Sequence, residues 1–134
     1  MIDFEVKILD ENDLFFVSDL RNLGVQRNVA LTIVYLSNVK EVSSREIEIG
    51  TGLRQPEISL ALCFMGDNQW IKSRMVKVNK KGRPLKVYSL SVTMNKIYEY
   101  YELKAQQSYK ESFVIIKQLK DLIKKESLQS KNEL

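Results

Sequence analysis

The stretch "GLRQPEIS", Gly52 to Ser59, decides how this chain is read. Proline fits the first turn of a helix because its missing N–H would have no partner there, so Pro56 marks a helix start and not a break. Arg54 and Gln55 then sit at the tip of that helix. Both are long side chains able to make paired hydrogen bonds to base edges, which makes the stretch a candidate for reading DNA.

Upstream, Ser43 and Glu46 have the spacing of a capping box, so a short helix starts at Ser43, with Ile47 facing its core. Gly50 and Gly52 allow a tight turn into Leu53. Two short helices joined by a three- or four-residue turn containing glycine make a helix-turn-helix. In the second helix Ile58, Leu62 and Met65 recur at helical spacing and point inward, leaving Arg54, Gln55, Glu57, Ser59 and Leu60 facing out. Downstream, Trp70 to Val78 and Leu85 to Leu90 read as two strands around the basic tip Asn79-Lys80-Lys81-Gly82-Arg83-Pro84. A helix-turn-helix followed by a basic hairpin is a winged helix.

Further out, Ile2, Phe4, Val6 and Ile8 alternate with charged residues, suggesting a short strand or an extended arm. Asp10 or Asn12 can cap a first helix that runs through Phe15, Val17 and Leu20 and stops at Gly24. A second, densely apolar helix begins near Gln26 to Asn28 and ends around Asn38 to Lys40. Leu85 to Leu134 contains no glycine or proline, and Thr93 or Asn95 could cap one long helix to about Glu126, some ~50 Å of helix. Its far half carries Tyr109, Phe113, Ile116, Leu119 and Ile123 in a stripe between lysines, which either folds back onto the core beside the first helix or, as expected here, pairs with its counterpart in a second subunit. Phe15, Phe16 and Leu20 of the first helix are expected to complete that interface. The organisation expected is an arm and helix over 1–24, a winged helix-turn-helix over 25–92, a dimerisation helix over 93–126 and a frayed tail over 127–134. The fold class is mainly α with a small β-hairpin.

Composition narrows the chemistry. The absence of histidine excludes His-based acid–base catalysis and His-ligated metal, and the single Cys63 can form neither an internal disulfide nor a thiolate cluster. The default place for Cys63 is as a small buried or half-buried apolar residue. No carboxylate pair, activated nucleophile or Gly-rich phosphate loop is visible, so no enzyme activity, cofactor or metal is expected. Neither a signal peptide nor a membrane span is read in the chain, which points to a cytoplasmic protein. The net charge of +4 is unevenly spread. Residues 1–53 hold 5 Lys/Arg against 9 Asp/Glu, residues 54–86 hold 8 against 2, and residues 87–134 hold 8 against 6. Positive charge concentrated in the middle third is the footprint of a surface for a polyanion.

The residues so assembled resemble the archaeal winged-helix transcription regulators of the ArsR- and TrmB-like group. The likeness runs from Ser43 to Leu90 and rests on Glu46-Ile47, Gly52-Leu53, Gln55-Pro56, Ile58-Ser59, Gly82-Arg83-Pro84 and Tyr88-Ser89-Leu90. Within the group the chain looks most like the small euryarchaeal regulators that include the archaellum-operon activator. Glu48 departs from the pattern where a small residue is usual, as do Leu60, Cys63 and Phe64 at positions more often polar. The Cys and His ligands of metal sensors are absent.

The expected function is a sequence-specific, homodimeric regulator of transcription that binds double-stranded DNA. Arg54 is the candidate for guanine and Gln55 for adenine; Ser59 can meet a phosphate or base, and Leu60 a thymine methyl. Pro56 lies between them at the DNA-facing helix start. Lys77, Lys80, Lys81, Arg83 and Lys86 are candidates for the backbone, with Arg83 able to enter a narrow minor groove. The alternative is a winged helix used for protein contact with the basal transcription machinery, the acidic residues 1–23 serving as a contact surface.

Overall fold

Eight consecutive buried residues, Val29–Leu36, put one helix at the centre of the fold. A helix apolar on every side has to be surrounded by other elements. In the computed structural model, residues 6–77 and 82–132 are described, with side chains to residue 127. The elements are α1 (Glu11–Asn22), α2 (Arg27–Ser37), β1 (Val42–Ser43), α3 (Ser44–Thr51), α4 (Gln55–Asp67), β2 (Ile71–Val76), β3 (Leu85–Leu90) and α5 (Met94–Asn132). The central helix is α2, and α1, α3, α4 and β3 pack around it. The chain is mainly helical, with one small antiparallel sheet and a long C-terminal helix.

Local chemistry sets the boundaries. Asp10 caps α1: its Oδ1 accepts from the Asp13 N–H at 2.8 Å, and Asp13 Oδ2 accepts from the Asp10 N–H at 3.0 Å. The reciprocal pair satisfies two donors that the first turn leaves without intrahelical partners. Asp13 is itself buried and accepts from Asn38 Nδ2 at 3.0 Å, which ties the start of α1 to the end of α2. Ser43 caps α3 as the sequence implies, reciprocally with Glu46. Helix α3 ends where Gly52 turns left-handed, at φ 77°, a conformation that costs a side-chain-bearing residue about 1 kcal/mol or more. Three residues, Gly52, Leu53 and Arg54, then lead directly into α4.

The sheet has the order β1-β3-β2. Ser73 pairs with Tyr88 and Met75 with Lys86, so these four side chains share one face of the hairpin. Strand β1 was not visible in the sequence. It is two residues long, and its pairing of Val42 with Tyr88 spans more than forty residues. Residues 6–10 form no strand.

Two compact units divide the chain, Met1–Ile97 and Tyr98–Leu134. The first unit takes in α1 together with the helices and the hairpin that follow it. In the first unit Tyr35, Ile47, Leu53, Ile58, Met65 and Ile97 are among the fully buried side chains. In the second, α5 continues to Asn132, past the end expected near Glu126, because no glycine or proline interrupts it. No helix among the described residues is long and apolar enough to cross a membrane.

Candidate nucleic-acid interface

The phase of α4 is fixed by Ile58, Ala61, Leu62 and Met65, all buried. Turning from these, the helix exposes Pro56, Ser59, Leu60, Cys63 and Gly66, with Arg54 exposed at its N-terminus and Leu60 69% exposed. Cys63 is thus exposed, not buried as its composition suggested. Its position one residue after Leu62 and two before Met65 turns it outward, a phase readable from the sequence. Phe64 is half-buried and meets Trp70 edge-on, ring centroids 5.7 Å apart.

Glu57 does not stand free at the tip. Its carboxylate accepts from the Arg54 N–H at 3.3 Å and lies 3.7 Å from the Arg27 guanidinium, while its carbonyl accepts from Asn28 Nδ2 at 2.9 Å. These contacts bind the start of α4 to α2 and hold Arg54 at the edge of the unit. Gln55 is also held: its Nε2 donates to Glu48 Oε2 at 2.8 Å and to the Ser44 carbonyl at 3.3 Å. Glu48 thus bridges the two helices.

Between α4 and the hairpin lies a concavity of about 420 Å³ lined by Gln55, Ser59, Cys63, Ser73, Lys86 and Tyr88 among others. The Lys86 ammonium stands 5.5 Å from the centre of the Tyr88 ring, a cation–π contact that keeps it at this face. Lys77, Arg83 and Lys86 are all exposed. Lys80 and Lys81, expected at the hairpin tip, lie outside the described residues. Arg74 is committed elsewhere: its Nε donates to both Glu41 oxygens, at 2.8 and 3.0 Å. That hydrogen-bonded pairing, with its charge attraction, holds Glu41 below the usual carboxylate range and raises Arg74. The positive charge presented by the middle third is smaller by this pair.

The apolar residues expected at a dimer interface separate into two groups. Phe15 and Phe16 are exposed, but Leu20 is 4% exposed and belongs to the core, because Asp13, Val17 and Leu20 share the inward face of α1. On α5, Tyr109, Phe113, Ile116, Leu119 and Ile123 are all exposed, with Tyr109 and Phe113 in edge-on contact at 4.6 Å. Ile115 and Leu122 are exposed beside them, widening the stripe to an arc of about half the helix circumference at the 100° spacing of an α-helix. The run of four apolar residues Phe113–Ile116 is the sequence signal for that width.

No protein-family model matches the chain, and a search of curated proteins finds no match to it.

Proposed function

We propose that the protein is a homodimeric, sequence-specific double-stranded DNA-binding regulator of transcription, built as a winged helix with α4 as the recognition helix. One observation carries the reading: Gln55 and Ser59 of α4 and Lys86 of the hairpin line a single concavity beside the exposed Arg54. A helix that follows a three-residue turn would enter the major groove N-terminus first, with Arg54 at guanine and Leu60 against a thymine methyl. Lys77, Arg83 and Lys86 would take phosphates, which supply most of the affinity but no sequence information.

The exposed arc of α5 supports the dimer in this reading. A lone helix is marginal in water, and one with half its circumference apolar gains stability only by burying that arc. A second copy of α5 would bury it, and a twofold dimer that reads two half-sites needs recognition helices about 34 Å apart, one turn of DNA. Phe15 and Phe16 offer further apolar surface. The uncharged stripe Ser59, Leu60, Cys63 and Gly66 favours a second reading, in which α4 docks on a protein such as a component of the transcription machinery.

Enrichment from a pool of random duplexes tests the proposal. A DNA-reading dimer recovers two similar half-sites in inverted repeat, about 10 base pairs between centres. Recovery of an unchanged pool, with the protein folded, contradicts it and leaves the protein-docking reading.

A further inference from the structure

The two contacts of Gln55 determine what its amide can say to a base. Both partners are acceptors, a carboxylate oxygen of Glu48 and the main-chain carbonyl of Ser44. Only the NH2 end of the amide can face them, so chemistry alone fixes its orientation. A primary amide has two N–H donors, and two acceptors lie within reach of Nε2, at 2.8 and 3.3 Å. What remains is the carbonyl Oε1, an acceptor.

We propose that Glu48 is a specificity-determining positioning residue: by occupying the Gln55 NH2 group, it converts Gln55 from a bidentate adenine reader into an acceptor for an exocyclic amine. The inference rests on the DNA-binding reading of α4. The usual pairing of Gln with adenine needs Oε1 to accept from N6 and Nε2 to donate to N7. With both N–H groups taken by α3, the N7 bond is lost. An acceptor alone meets the N6 amine of adenine or the N4 amine of cytosine equally well, and it opposes guanine O6 and N7 and thymine O4, which are also acceptors. The contacted position therefore reads amine against carbonyl, admitting adenine and cytosine together. Glu48 is half-buried, as is Gln55, so water competes with the clamp only in part.

Two measurements test this. In the free protein, ¹⁵N NMR of the Gln55 side chain reports the clamp without DNA. The amide protons should be shifted downfield and exchange slowly in wild type, and in Glu48→Ala the proton that faces Glu48 should move to the free-glutamine position while the one that faces the Ser44 carbonyl stays shifted. Unshifted protons in wild type overturn the clamp. With DNA, duplex enrichment should give adenine and cytosine within about threefold of each other at one position of each half-site, a spread smaller than one hydrogen bond commonly supplies. Glu48→Ala frees one N–H, enough to donate to N7, and should raise adenine over cytosine there by about fivefold, a typical value for one added hydrogen bond. Glu48→Gln keeps an acceptor facing Gln55 and should restore the wild-type choice, which a merely structural role for residue 48 would not require. A wild-type site that already prefers adenine strongly, or one unchanged by both Glu48→Ala and Gln55→Ala, overturns the proposal while leaving DNA binding intact. An unenriched pool beside a normal Gln55 amide signature overturns the DNA-binding reading instead.

Discussion

The main chain of Gly50 lies against the ring of Tyr35, so closely that a Cβ at position 50 would overlap the ring edge and stand 2.7 Å from the Lys7 carbonyl oxygen. Tyr35 is fully buried in α2 and has no room to yield, and burial together with the nearby Glu46 charge raises its phenol pKa. The contact fixes where the N-terminal arm crosses α3, the helix that carries Ser44 and Glu48. Gly50→Ala should therefore lower stability by about 1–3 kcal/mol, the cost of overpacking exceeding alanine's better helix propensity. Urea denaturation checks it, and a variant as stable as wild type removes the contact from the account.

Asp13 gives the fold a pH dependence. Burial works to raise its pKa, but hydrogen bonds from the Asp10 N–H and Asn38, with the Lys7 charge nearby, outweigh it and leave the pKa lowered. A group whose folded pKa is depressed contributes stability above its unfolded value, about 3.9, and loses that contribution as pH falls through the folded value. Asp13→Asn should thus be less stable than wild type by about 1 kcal/mol at pH 7, with the gap closing as pH falls below 4. A gap that widens in acid contradicts the assignment.

Much of this was legible in the sequence because it was local. Ser43 with Glu46, and Gly52 through Pro56, write their helix ends within a few residues, and the structure has them there. Leu20 and Cys63 were misjudged from residue type when helix phase was the better guide: Leu20 shares its face with Val17, and Cys63 turns away from Leu62. Strand β1 and the Gln55–Glu48 bond were not legible. The first depends on a partner strand distant in the chain, the second on the turn bringing two helices together, and neither leaves a periodic trace.

The two kinds of DNA contact should separate by mutation. Arg54→Ala should relax base choice by about 1–3 kcal/mol at one position, as loss of a bidentate guanine contact does. Lys86→Ala should weaken all sequences alike and make the salt slope shallower by about one unit. Site enrichment with each variant distinguishes them, and an unaltered preference in Arg54→Ala refutes its assignment.

The apolar arc of α5 predicts a dimer at micromolar concentration. Phe113→Glu with Ile116→Glu places two charges in the arc, replacing side chains each worth about 1.5–3 kcal/mol when buried. Light scattering should give twice the chain mass for wild type and the monomer mass for the double variant. A wild-type monomer, or a variant that remains dimeric, shows that this face is not the interface.

The most direct test of the central claim is an equilibrium titration of the enriched duplex and a scrambled one over a range of salt concentrations. If about six phosphates are neutralised, log affinity falls against log salt with a slope near −5 for the enriched duplex. That duplex should also bind at least about 10³-fold tighter than the scrambled one at physiological salt. Affinity indifferent to salt, or equal for the two duplexes, would contradict sequence-specific DNA binding.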